Sequence, residues 1–202
     1  MPLWLAEQPL VLASRSAIRH AILREAGIAV EIVPAAIDER AVEAASSSNE
    51  AGAVAMLLAR EKALAVAARL PGRFVLGADQ TLALRDLRFS KPADLPAARA
   101  QLLALRGQTH ALHSAMALVR DDAALFEHCD VARLTMRGFS EEFLDAYLDL
   151  AGLTVTASVG AYALERSGIQ LFERIDGDHF TILGLPLLPL LAFLRRARLL
   201  AA

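Results

Sequence analysis

The stretch "VLGADQTLALRDLRFSKP", Val75 to Pro92, contains the pattern that best predicts the fold. An apolar run from Phe74 to Ala78 ends in one acid, Asp79, and a second apolar run leads to a polar turn at Arg85-Asp86. Such runs are typical of buried strands, and the polar turn indicates a chain reversal. A carboxylate between two strand-like runs either caps a turn or is held there for chemistry. We expect Gly77 and Ala78 to leave close access to it.

Strands and helices alternate on both sides of this stretch. Before it, the pattern predicts a strand at Pro9–Ala13, a helix ending at Gly27 and a second strand from Val30. A polar elbow at Ala36–Arg40 and a loop at Ser46–Asn49 then lead to a helix that runs to about Leu70. After it, the pattern predicts helices at Asp94–Gly107 and Ser140–Gly152, two long strands between them, two strands around Asp176-Gly177-Asp178 and a helix after Pro186. This order predicts an α/β fold, with a mixed twisted β-sheet and helices on both faces.

The composition limits the function classes. A chain of 202 residues forms one large domain or two small lobes. The net charge of −2 and the lack of a basic tract argue against binding a nucleic-acid polymer, which needs clustered cations. Cys129 is the only cysteine, so no intrachain disulfide is expected and a cytoplasmic location fits.

The mean hydropathy of +0.40 raises the question of a membrane segment. The most apolar segment, residues 181–194, is too short to span a bilayer, which needs roughly 20 apolar residues, and it holds Pro186 and Pro189. No basic residue precedes Arg15, so a secretory signal is not indicated either. We expect no membrane association.

Polar residues at the ends of predicted elements are the candidates for chemistry. The pattern Ser14-x-Ser16-x-x-Arg19 lies between a strand and a helix, where backbone N–H groups, hydroxyls and a guanidinium suit a phosphate. A helix cap by one serine is the simpler interpretation. The simpler interpretation of Lys62 is a residue on the solvated face of the long helix. For Asp79, which lies twelve residues before Lys91, it is a turn residue. Single motifs do not decide between these alternatives.

Taken together, the motifs resemble the Maf family of nucleoside triphosphate pyrophosphatases, in the ITPase-like superfamily. The resemblance runs from Val11 to Leu194 and rests on several motifs in order. They are "LASRSAIRHAILREAGI", "AIDER", "LAREKA", "LGADQT", "SKPAD", "LRGQTHALHSAMAL" and "GAYALERSGIQLFERIDGDHFTILGLPL". The resemblance implies that residues 1–202 form a single Maf-like domain of two lobes around a central cleft.

The resemblance also implies an activity and a set of site residues. The expected reaction is hydrolysis of a nucleoside triphosphate between the α and β phosphates, giving a monophosphate and pyrophosphate. Asp79 is implied as the catalytic acidic residue, and Asp79 and Glu39 as ligands of a divalent cation, Mg²⁺ or Mn²⁺. The residues implied to hold the phosphates are Ser14, Ser16, Arg19, Lys62 and Lys91. A homodimer is implied as well.

Three positions bear on base specificity. Gln80 and Glu165 resemble the subgroup that acts on 7-methyl-GTP, whereas Ile18 stands where that subgroup usually has Trp. The family's Ser-x-Ser-Pro-Arg-Arg turn also differs here, because Ala17 and Ile18 replace its Pro and first Arg. The alternatives are a dTTP/UTP pyrophosphatase and a nucleotide-binding regulator without turnover. Intact Asp79, Lys62 and Lys91 favour an enzyme.

Overall fold

The computed structural model describes residues 2–202. The strands and α-helices, in chain order, are β1 Leu10–Leu12, α1 Ala17–Glu25, β2 Val30–Ile32, α2 Glu39–Ala44, α3 Ala51–Ala67, β3 Phe74–Leu84, β4 Leu87–Phe89, α4 Leu95–Leu105, β5 Thr109–Arg120, β6 Ala123–Met136, α5 Glu141–Ala151, β7 Phe172–Asp176, α6 His179–Ile182 and α7 Leu187–Arg196. Short 3₁₀ helices occupy Gly152–Ala157, Val159–Ala161 and Ser167–Leu171. Among the described residues, no helix is long and apolar enough to cross a membrane.

The strands form one seven-stranded sheet in the order β2-β1-β3-β5-β6-β7, with β4 paired to β3. β1 is parallel to both β2 and β3, and its Val11 lies opposite Val75. β4 is antiparallel to β3, and β7 is antiparallel to β6. The prediction of a mixed sheet in an α/β fold is therefore confirmed.

The chain divides into two compact units. The first unit comprises the chain up to Asp79 together with Ser114–Asp130 and His179–Ala202. The second unit comprises Gln80–His113 and Val131–Asp178. The division in β3 falls between Asp79 and Gln80, directly after the acid that the sequence singles out.

In the first unit, β1 and β3 are buried on both faces. Leu12 and Leu76 belong to one apolar cluster, which includes residues of α1 and α7. Val11 and Val75 belong to another, which includes Val66 of α3. A strand covered on both faces has no water-facing position, so its sequence is a continuous apolar run rather than an alternating one.

Helix α3 lies directly against β3 at Gly77. A Cβ atom on Gly77 would lie 2.0 Å from the carbonyl oxygen of Ala59 and 2.8 Å from the backbone nitrogen of Ala63. Only glycine leaves room for that approach. The space beside Gly77, which we expected to give access to Asp79, is instead filled by the helix backbone. The close approach brings Lys62, which lies between Ala59 and Ala63 on α3, to Asp79.

The second unit contains a buried histidine, His110, which lies within the motif "LRGQTHALHSAMAL" but to which the sequence assigned no functional role. His110 is 1% exposed, and its Nε2 lies 2.7 Å from the hydroxyl of Tyr162. Within residues 2–202, its buried Nδ1 has no hydrogen-bond partner. Burial lowers the pKa of His110 from 6.5 to about 4, because the charged imidazolium would lose its hydration.

This histidine should make stability depend on pH. The unfolded chain binds a proton near pH 6.5 and the folded one only near 4, so stability is complete above pH 6.5 and falls as the pH drops toward 4. At pH 5, which lies between the two pKa values, the loss should be about 2 kcal/mol, since each pH unit below 6.5 costs about 1.4 kcal/mol until the pH nears 4. Denaturant unfolding at pH 7.5 and pH 5 measures it. His110→Phe cannot titrate and should show a smaller difference; parallel pH profiles would contradict the assignment.

Three local predictions are wrong. Asp79 lies inside one continuous strand, β3, because the buried pattern continues on both sides of it. The elbow around Asp38 starts a helix, since the Asp38 carboxylate caps α2 by accepting from the N–H of Ala41. The second strand after Asp176-Gly177-Asp178 is instead the short helix α6, which buries Thr181 and is followed by Gly184 at φ +88°.

Candidate active site

The turn after β1 uses both of its serines. Ser16 is the N-cap of α1 and accepts from the N–H of Arg19 at 3.4 Å, so the capping interpretation holds for this residue. Ser14 is 8% exposed, and its hydroxyl oxygen accepts from the N–H of Ser16 at 3.2 Å. Each hydroxyl keeps a hydrogen to donate. Capping and ligand binding are therefore compatible roles.

Arg19 fastens this turn to two other segments of the first unit. Its Nε donates to the carbonyl of Gly184 at 2.8 Å, and its Nη1 donates to the carbonyl of Ala78 at 2.7 Å. The same Nη1 lies 3.4 Å from the hydroxyl oxygen of Ser14. Burial lowers the pKa of Arg19, and the nearby negative charges of Asp79 and Glu39 oppose the change. Two nitrogens of the Arg19 guanidinium, which we expected to hold phosphate, are thus bound to backbone carbonyls.

Asp79 lies at the centre of a cluster of charges. The residue is 9% exposed, and its carboxylate accepts from the Nζ of Lys62 at 2.6 Å. The same Nζ lies 3.0 Å from the carboxylate of Glu39, whose side chain is 52% exposed. Because 75, 77 and 79 are alternate positions of one strand, Asp79 shares the α3 side of β3 with Gly77. Two carboxylates from separate elements thus meet at one ammonium group.

The surroundings set the protonation of Asp79. Burial raises its pKa above the ordinary range for an aspartate, and the positive charges of Lys62 and Arg19 oppose part of that rise. Glu39 adds a smaller upward contribution. A carboxylate with a raised pKa is a better proton acceptor, which suits a general base.

Six of the ten predicted site residues lie in this part of the first unit: Ser14, Ser16, Arg19, Glu39, Lys62 and Asp79. The other four are not part of this cluster. Ile18 is half-buried on α1 and packs against the apolar core of the first unit. The others belong to the second unit: Gln80 follows Asp79 in β3, Lys91 is exposed after β4, and Glu165 is exposed in a turn before a 3₁₀ helix.

Sequence reasoning missed the parts of this site that consist of backbone. The carbonyls of Ala78 and Gly184 hold Arg19, and carbonyls leave no mark in a sequence. Gly77 was the one available sequence signal of a close backbone approach, but the residues that approach it lie on another element, α3. Within residues 2–202, no group of three or more His, Cys, Asp or Glu side chains is arranged to hold a metal by itself.

This chain is similar to known proteins over nearly its whole length. The family model described as "Maf-like protein" matches residues 9–197. A nucleoside triphosphate pyrophosphatase of Rhodopseudomonas palustris (strain BisB18) is 57% identical over 201 residues, covering 100% of both chains. One of Nitrobacter winogradskyi is 55% identical with the same coverage. A 7-methyl-GTP pyrophosphatase of Mesorhizobium japonicum is 53% identical, over 93% of this chain and 96% of that protein.

Proposed function

This chain belongs to the Maf-like protein family, and from that premise we propose that it is a nucleoside triphosphate pyrophosphatase. The reaction would split the anhydride between the α and β phosphates and release pyrophosphate. The observation that carries the proposal is the buried Asp79, held by Lys62 beside the serine turn and Arg19. Relatives that cover the whole chain and are named for this activity support it.

The chain's own residues would act mainly by position and charge. Asp79 would orient the attacking water and accept its proton, for which its raised pKa is suited. Lys62 would bind phosphate oxygens, with hydroxyl donors from Ser14 and Ser16. The first turn of α1 contributes N–H groups and the positive end of the helix dipole. Arg19 would hold the strand that carries Asp79.

A divalent cation fits the donors of this site. The carboxylates of Asp79 and Glu39 already converge on one cationic group, at 2.6 and 3.0 Å from the Nζ of Lys62. Mg²⁺ and Mn²⁺ prefer such oxygen ligands, and Mg²⁺ sites typically combine one or two carboxylates with water and phosphate oxygens. Asp79 and Glu39 would hold the ion. When bound, it would neutralise charge on the phosphates.

Pyrophosphate release from purified protein, measured across a panel of nucleoside triphosphates with Mg²⁺ or Mn²⁺, tests the proposal. An enzyme releases one pyrophosphate for each monophosphate formed. A regulator without turnover binds nucleotide and releases none, and that result would overturn the proposal. Light scattering would test the predicted homodimer.

We propose 7-methyl-GTP as the preferred substrate. Guanine presents two adjacent donors, N1–H and the 2-amino group, and a carboxylate such as Glu165 accepts both, whereas a glutamine offers only one acceptor. Methylation at N7 makes the base cationic, which a carboxylate favours further. Ile18 cannot stack on that cation as Trp would, so we expect a looser preference than in the subgroup that has Trp.

The double substitution Gln80→Thr with Glu165→Gln tests this specificity. It should shift the ratio of kcat/KM values toward dTTP and UTP by at least about tenfold, since one bidentate base contact discriminates by about 1–3 kcal/mol. Steady-state kinetics on the three nucleotides measure it, and the single substitutions separate the two positions. Wild-type protein that prefers dTTP or UTP would contradict the prediction.

A further inference from the structure

Lys62 occupies the point where the two carboxylates of the site meet. Its Nζ lies 2.6 Å from Asp79 and 3.0 Å from Glu39, and the residue is only 8% exposed. Building on the proposed function, we infer that Lys62 is the resident cation of the metal site. In the nucleotide-free protein its ammonium takes the place of the divalent ion, so metal is admitted together with the nucleotide.

The two cations exclude each other by geometry and charge. A Mg²⁺ ion needs its carboxylate oxygens at about 2.0–2.1 Å, and an ammonium needs the same oxygens at hydrogen-bond distance. An ammonium between two carboxylates would therefore lie close against any ion that binds both of them. Beside Asp79, which is 9% exposed, little water is available to screen that repulsion, whereas Glu39 is half exposed. For the metal to bind both carboxylates, Lys62 has to withdraw from them.

Lys62 is the cation of the cluster that is able to move. Its ammonium is a single charge on a flexible four-carbon chain, whereas the Arg19 fork donates to two backbone carbonyls. The backbone of α3 is fixed by its contact with Gly77, so the side chain has to make the movement. The phosphate oxygens of a triphosphate would accept the hydrogen bonds that Lys62 loses when it leaves the two carboxylates.

This exchange couples the two ligands. Nucleotide that draws Lys62 away raises the affinity of the carboxylates for metal, and by linkage metal raises the affinity for nucleotide by the same factor. Phosphate oxygens that ligate the ion give coupling of the same sign. Metal binding without nucleotide separates the two sources, because only the lysine acts there.

The experiment measures Mn²⁺ binding to nucleotide-free protein from the electron paramagnetic resonance signal of free Mn²⁺. We expect Lys62→Met to bind Mn²⁺ at least tenfold more tightly than the wild type. Adding Asp79→Asn to Lys62→Met should remove the gain. The matched control is Arg69→Met, which removes an exposed cation just after α3 and should leave Mn²⁺ affinity unchanged.

Equal Mn²⁺ affinity in the wild type and Lys62→Met would overturn the inference, as would an equal gain in Arg69→Met. Lys62→Gln provides a second test if the Met variant does not fold, which thermal melting shows. Pyrophosphate release by the wild type is scored separately. If it occurs and Lys62→Met gains no affinity, the inference fails and the proposed function stands. If no nucleotide is hydrolysed but the gain appears, the proposed function fails alone.

Discussion

Asp79→Asn is expected to lower kcat by about 10²–10⁴-fold, the range for losing a general base, while the protein stays folded. Asn keeps the shape of the side chain and loses the charge that would accept the proton of water or hold a metal. The Glu39 carboxylate, 3.0 Å from the Nζ of Lys62, remains as its charged partner in this variant, so the buried ammonium is not left without one. Pyrophosphate release under single-turnover conditions measures the loss, and a thermal melt checks folding.

The matched control is Asp86→Asn. It makes the same chemical change on the β3–β4 turn, where the side chain is exposed, and it should retain the activity of the wild type. If Asp79→Asn turned over the best nucleotide within a few-fold of the wild-type rate, Asp79 would not be the catalytic base.

Gly77→Ala is expected to destabilise the protein by about 3 kcal/mol, the upper end of the usual range for overpacking a core. The added methyl group would lie 2.0 Å from the carbonyl oxygen of Ala59, so α3 or β3 has to move. Because Lys62 follows on the same helix, its contact with Asp79 should lengthen and kcat should fall as well. Denaturant unfolding and steady-state kinetics give the two effects.

Gly138→Ala is the control for the glycine substitution itself. A Cβ on Gly138 would meet nothing within 4 Å, so stability should change little. A Gly77→Ala variant as stable as Gly138→Ala would show that the helix is not tightly held against β3.

The sequence predicted the parts of the fold that depend on local patterns. β1 and β3 are continuous apolar runs because both faces are covered, and α1, α4 and α5 begin at the cap residues Ser16, Asp94 and Ser140. In these segments, the local preference and the tertiary environment favour the same structure. The resemblance to a known family, rather than any pattern, suggested which of the polar residues belong together.

Other features depend on contacts between distant segments and were not predictable from local patterns. Helix α6 forms where the sequence favours a strand, because Thr181 is buried and donates to the carboxylate of Asp130. The access expected beside Gly77 is closed by a helix that precedes it in the chain. The meeting of Glu39, Lys62 and Asp79 joins three elements, and no spacing in the sequence encodes it.

The position of Lys62 also has a consequence for covalent labelling. Lysine and arginine together number 21, but the chain has only two lysines, Lys62 and Lys91. An acylating reagent that attacks amines therefore has two side-chain targets, besides the α-amino group. Lys91 is open to solvent, whereas the Nζ of Lys62 is covered and donates to two carboxylates. Mass spectrometry should find Lys91 labelled first. The slower rate at which Lys62 is acylated then reports how often its ion pairs with Asp79 and Glu39 open.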